Sequence, residues 1–121
     1  MQQLAKREEQ IMQALWQLEK AFVKEIVAEL PNPKPHYNTV STMVRILEDK
    51  GFVAHEAFGK THRYYPLISK ETYQKTAVKD VLGKYFDNSY SKMVAYFAEE
   101  ENISETELKE IIDQIKKGKK S

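Results

Sequence analysis

The sequence predicts a mainly α chain with one small β-hairpin, in which a helix-turn-helix domain is followed by a helical appendage. Three observations predict it. The stretch Tyr37–Gly51, YNTVSTMVRILEDKG, carries Val40, Met43, Val44 and Leu47 at the spacing of one helix face. Pro31-Asn32-Pro33-Lys34-Pro35 stands just before it and cannot continue any helix from upstream. After Gly51 the pattern changes to alternation over Phe52–Leu67, then returns to helical spacing for the rest of the chain.

Size and composition set the frame. A chain of 121 residues, 41% hydrophobic and 31% charged, fits one compact domain or a domain plus an appendage. No apolar run approaches a membrane span, and MQQLAKREEQ at the start lacks the apolar core of a signal peptide. Zero cysteines exclude disulfides and thiolate metal sites, and fit a cytoplasmic protein. Net charge is +1, so there is no global basic signal for nucleic acid. Residues 34–67 hold five Lys/Arg against three Asp/Glu, and residues 68–121 hold ten of each, so any cationic surface has to be local.

The first helix is read from about Lys6 to Leu18, where Ile11, Met12, Leu15, Trp16 and Leu18 form an amphipathic pattern. Its start lacks a good cap, because Ala5 stands where Ser or Thr is preferred. Trp16 is large enough to anchor a small core. Glu19–Phe22 reads as a connection, and Val23, Ile26, Val27 and Leu30 give a second, shorter helix. The Tyr37 helix comes third, with Gly51 placed to end it in the left-handed region. Two short helices joined by a tight turn make a helix-turn-helix arrangement, with the later helix as the reader.

The polar face of that reader shows Asn38, Thr39, Ser41, Thr42 and Arg45. An ordinary solvated face favours Glu, Lys and Gln, which are better helix formers than Ser, Thr and Asn. Short hydroxyls that reach phosphates and base edges, beside an Arg that reads guanine, suit a DNA major groove. The residues alone leave a second reading open, a poorly optimised helix surface with no partner.

Phe52–Phe58 reads as a strand, Gly59-Lys60-Thr61 as a turn and His62–Leu67 as the returning strand. A hairpin directly after the third helix is the wing of a winged helix-turn-helix domain. Lys60 and Arg63 near its tip are candidate backbone contacts; a solvated turn is the alternative. The domain boundaries expected are 1–68 for the DNA-binding domain and 69–121 for a three-helix dimerisation region.

Ser69 is placed to cap a long helix to about Asp87. A second helix carries Tyr90, Met93, Val94, Phe97 and Ala98. Ser104-Glu105-Thr106-Glu107 is a capping-box sequence for a last helix, and Lys116-Lys117-Gly118-Lys119-Lys120 gives it a basic end. Three helices this short cannot easily bury all their apolar faces alone. Burying one such side chain stabilises by roughly 1.5–3 kcal/mol. A second copy of the chain is the economical cover, so Val81, Leu82, Tyr85, Phe86, Tyr90, Val94, Phe97, Leu108, Ile111, Ile112 and Ile115 are the expected homodimer interface. Two readers on one axis match a palindromic operator.

Several stretches together resemble the penicillinase repressor family, the BlaI/MecI type with its copper-responsive relatives. They are Glu8-Glu9-Gln10-Ile11-Met12-Gln13-Ala14-Leu15-Trp16, Glu25-Ile26 with Leu30, Tyr37–Met43, Leu47–Gly51 and Gly59–Pro66. The resemblance runs from about Leu4 to Ile115. It implies a winged-helix dimer that occupies a double-stranded DNA operator and blocks transcription. Thr39, Ser41 and Thr42 match the family's DNA-facing turn, and Lys60 and Arg63 its wing. Members commonly place Arg directly before the Leu matched by Leu47; here Ile46 stands there and Arg45 precedes it, a rotation of about 100° on a helix. In the best-known members a membrane sensor protease triggers cleavage before a Phe, and Tyr96-Phe97 matches that bond. The copper-responsive relatives use C-terminal cysteines, absent here, which excludes thiolate copper sensing.

The residues speak against an enzyme. His36, His55 and His62 are the only histidines, and no H-E-x-x-H, G-x-S-x-G or phosphate loop occurs. His55 and His62 lie on opposing strands, where solvated or phosphate-facing rings are commoner than a ligand pair, so no metal and no cofactor are expected. The competing function is a winged-helix protein-interaction module, docking through Trp16 or the wing aromatics without sequence-specific DNA binding.

Overall fold

The computed structural model describes residues 4–119. The first three residues, which enter the reading of the N-terminal sequence, and Lys120 of the basic tail lie outside the described residues. In chain order the elements are α1 (Lys6–Leu18), β1 (Ala21–Phe22), α2 (Val23–Glu29), α3 (Tyr37–Asp49), β2 (Val53–Phe58), β3 (Thr61–Pro66), α4 (Lys70–Tyr85), α5 (Tyr90–Glu100) and α6 (Glu105–Lys119). They fall into two units, Met1–Ala77 and Val78–Ser121.

The first unit is a winged helix-turn-helix domain. Ile11, Met12 and Leu15 of α1, Ile26 of α2, and Val40, Val44 and Leu47 of α3 are fully buried together with Phe52 and Val53. The apolar spacings that set each helix are therefore the ones that meet in the core. The helix α3 ends as its sequence requires: Gly51 has φ 85°, its N–H donates to the Glu48 carbonyl at 3.0 Å, and the Phe52 N–H donates to the Leu47 carbonyl at 2.9 Å. This is a Schellman stop, which turns the chain into the wing. The strands β2 and β3 pair antiparallel with Phe58 opposite Thr61, so the wing closes through Gly59-Lys60, with Gly59 at φ 64°.

Two features depart from the expected layout. The connection Glu19–Phe22 contains β1, which pairs with β3 (Ala21 opposite Tyr64, Phe22 opposite Arg63) and makes a three-stranded sheet in the order β1-β3-β2. The first unit also extends past residue 68, because Tyr73 joins the core and Ala77 packs against it. Tyr73 sits edge-on to Phe52 and tilted against Trp16, and its hydroxyl accepts the Leu4 N–H at 3.2 Å. Burial pushes the Tyr73 phenol up from its ordinary value, because a phenolate would lose its hydration there.

In the second unit the helices carry their own start signals. Ser89 Oγ accepts the Lys92 N–H and Ser104 Oγ the Glu107 N–H, each at 3.1 Å. Ser69 does the same for α4 through the Thr72 N–H at 3.1 Å. By contrast α1, α2 and α3 begin at Ala5, Phe22 and His36 without a hydrogen bond to the cap residue's own side chain; tertiary packing holds them. Asp87 and Asn88 adopt left-handed conformations between α4 and α5, and Phe86, Tyr96 and Phe97 form an aromatic cluster with centroids 5.5–6.1 Å apart.

Candidate nucleic-acid interface

Packing decides which side of α3 is free. With Val40, Val44 and Leu47 buried, Asn38, Thr39, Thr42 and Arg45 are exposed and Ser41 is half-buried beside them. Thr42 Oγ1 donates to the Asn38 carbonyl at 3.0 Å, and Arg45 Nη2 donates to Ser41 Oγ at 3.3 Å. These local bonds lay the polar side chains along the helix surface.

The approach of α2 to α3 is fixed by Lys34. Its Nζ donates to the carbonyls of Ala28 at 2.8 Å and Leu30 at 2.7 Å, with Val27 at 3.4 Å. Three carbonyls at the end of α2 thus gain the cation that an uncapped C-terminus favours. A second tie joins α1 to the end of α3. Glu8, with 8% of its side chain exposed, meets Lys50 Nζ at 2.8 Å, and its other oxygen accepts the Ala5 N–H at 3.0 Å. Burial works against the Glu8 carboxylate, but the hydrogen bonds from Lys50 and Ala5 and the Lys50 charge outweigh it and hold the group below its ordinary range.

Between α3 and the wing lies a cleft of about 650 Å³. Tyr37, Ser41 and Arg45 of α3 line one wall, Lys60, Thr61, His62 and Tyr64 of the wing the other, and Phe22, Val23, Lys24 and Glu25 close the end. Lys60 and Arg45 are therefore brought to one cleft. Arg63 is not. The strand pleat sends it to the side opposite His62 and Tyr64, into a separate recess with Lys20 and Tyr65. There Lys20 binds Glu56 at 2.7 Å and lies 5.5 Å from the Tyr65 ring centre. The Lys20 hydrogen bond and charge, with a smaller share from Arg63, lower the Glu56 carboxyl.

The histidines of the wing are organised. His55 Nδ1 lies 2.7 Å from Glu48 Oε2 on α3, and the His55 and His62 rings stack at 4.0 Å and 7°. Among the described residues no group of three or more His, Cys, Asp or Glu is placed to hold a metal ion, and no helix is long and apolar enough to cross a membrane. Trp16 is engaged: its Nε1 donates to the Ile68 carbonyl at 2.8 Å and its ring packs on Tyr73.

A family model described as penicillinase repressor matches residues 4–117. The chain belongs to the penicillinase repressor family. The repressor is 23% identical over 116 residues to the methicillin resistance regulatory protein MecI of Staphylococcus aureus (strain N315), across 95% of this chain and 94% of that protein. It is 26% identical over 122 residues to the penicillinase repressor of Bacillus licheniformis, across 97% and 92%. The solved "CopR Repressor Structure" is 29% identical, covering 56% of this chain and 100% of that one, with a TM-score of 0.47. Membership makes the chain a DNA-binding transcriptional repressor. Ile46 is 42% exposed, so an apolar side chain adjoins Arg45 on the free side of the reader.

The expected subunit surface divides. Tyr85, Tyr90, Val94, Phe97, Ile111, Ile112 and Ile115 are exposed, and Val81, Phe86 and Leu108 are half-buried. Leu82 is instead buried within its own chain. The Asn88 N–H donates to the Leu82 carbonyl at 3.0 Å, and Asn88 lies against Gly83, so the returning chain covers that turn of α4. Tyr96 and Phe97 lie inside α5, each about half exposed.

Proposed function

We propose that the chain acts as a homodimer in the cytoplasm, holding two copies of α3 against a palindromic operator and so blocking transcription. Asn38, Thr39, Ser41, Thr42 and Arg45 supply the reading surface, and Lys60 clamps the backbone from the wing. The observation that carries this reading is the free polar face of α3 opening into a cleft that Lys60 shares. Arg63 falls outside this contact set, since it lines a different recess. The exposed apolar side chains of α5 and α6 support pairing of subunits, because a lone chain leaves Val94, Phe97, Ile111, Ile112 and Ile115 in water. Release follows a signal, with a membrane sensor protease leading to cleavage at Tyr96–Phe97; the half-exposed side chains support recognition there, and α5 must open locally before the bond can be cut.

The competing docking module loses support, since Trp16 is committed to Ile68 and Tyr73. The test is selection of duplexes from a random-sequence pool, then gel shifts with salt titration and sedimentation of the complex. A dimer on a two-fold symmetric site is expected; no specific complex at any salt rejects the proposal.

A further inference from the structure

The wing histidines serve no part of the fold that the core requires, yet they form an ordered chain. Glu48 on α3 meets His55 Nδ1 at 2.7 Å. An ionised carboxylate only accepts, so His55 donates there from Nδ1. The His55 ring then carries His62 on its face, parallel at 4.0 Å. His62 is exposed and lines the cleft between the reader helix and the wing. The stack thus sets the distance and tilt of an imidazole at the point where a nucleic-acid backbone would pass.

From this geometry we infer that His62 is a further DNA contact, an imidazole that meets a backbone phosphate and takes up a proton as it does so, with His55 and Glu48 as positioning residues behind it. The inference rests on the DNA-binding reading of this face and deepens it. The charges facing His62 explain the coupling. In the free cleft Lys24 of α2, Arg45 of α3 and Lys60 at the wing tip oppose a proton on the ring. Glu25 is the countercharge in the cleft, while Tyr37 and Tyr64 are neutral neighbours. His55 faces the ring from β2 and has the Glu48 carboxylate behind it. A phosphate entering between Arg45 and Lys60 reverses the local field and favours the imidazolium. Binding then draws one proton per subunit, and by linkage the affinity rises as pH falls.

The experiment measures the dissociation constant of the full chain by fluorescence anisotropy from pH 8 to pH 6 at constant ionic strength. The probe is the duplex that the wild-type protein selects from a random-sequence pool at pH 7. The expected result is binding about tenfold or more tighter at pH 6 than at pH 8, the scale set by one proton per subunit. His62→Gln removes that dependence to within about twofold, on the same linkage. His36→Gln, at the start of α3 rather than in the stack, retains it. Glu48→Gln moves the profile to lower pH, because the ring pair loses its countercharge; a purely structural role for Glu48 would weaken binding equally at every pH. Thermal unfolding of each variant reports folding separately. A wild-type profile flat to within about twofold, or a His62→Gln protein with the wild-type slope, overturns the inference. If no duplex is retained at any pH, the DNA-binding reading itself falls; binding that is specific but independent of pH removes only the role of His62.

Discussion

Ile112→Glu is the sharpest perturbation of the proposed subunit surface. Ile111, Ile112 and Ile115 are 45%, 50% and 54% exposed, so each has about half its surface left to bury. Full burial of such a side chain is worth roughly 1.5–3 kcal/mol, which leaves about 1 kcal/mol for each against a partner. A carboxylate at position 112 removes that gain from both protomers and adds the cost of desolvating two charges with no cation assigned to meet them, several kcal/mol in all. A loss of about 4 kcal/mol raises the dimer dissociation constant about a thousandfold. Sedimentation equilibrium from nanomolar to micromolar protein reads it directly. The melting temperature of the wild type should rise with concentration and that of the variant should not. With half of the side chain already in water, Ile112→Glu should leave the helical circular dichroism of the lone chain unchanged. A variant that dimerises as tightly as the wild type refutes the assignment of this stripe to the interface.

Three further outcomes are expected of the same chain. Arg45→Ala should weaken specific DNA binding by about 1–3 kcal/mol per half-site and relax the base preference there, read by competition gel shift. Glu8→Gln should cost about 2 kcal/mol near neutral pH in urea unfolding, because it loses a charged hydrogen bond to a Lys50 side chain that is 28% exposed, while its own is 8% exposed. Its carboxyl is lowered in the fold, so the contribution is full above the ordinary value near 4.3 and fades as pH falls through the folded value; the gap between variant and wild type should close in acid. Lys34→Met should cost about 1 kcal/mol by freeing the carbonyls at the end of α2, and should weaken DNA binding at unchanged salt slope if that grip sets the reader.

Most of the first unit was legible because its information is periodic. The apolar spacings of α1, α2 and α3, the proline run and Gly51 each act within a few residues. The strand β1 was not, since two residues carry no period and only pairing with β3 makes Ala21–Phe22 a strand. The Glu8–Lys50 pair spans 42 positions, beyond any local rule. Lys34 read as a turn residue, whereas its reach back to Ala28 needs the turn to be folded first. For the interface, the reader face was legible from its unusual Ser and Thr content. The side taken by Arg63 was available from strand parity alone, since alternation separates it from His62. Leu82 sat on the expected stripe, and the reversal at Asp87–Asn88 covers it. The hairpin already set His55 and His62 on opposing strands, but nothing local linked them to Glu48, which the Schellman stop brings to His55.

The serine hydroxyls that open α4, α5 and α6 bear on how two subunits would meet. Each such group is worth about 1 kcal/mol and acts without help from any distant residue. Coiling of these segments then begins before another molecule arrives, and what remains is the docking of rods rather than the ordering of a loose strand. Pairing then costs less conformational entropy than it would if the partner had to fold these helices first.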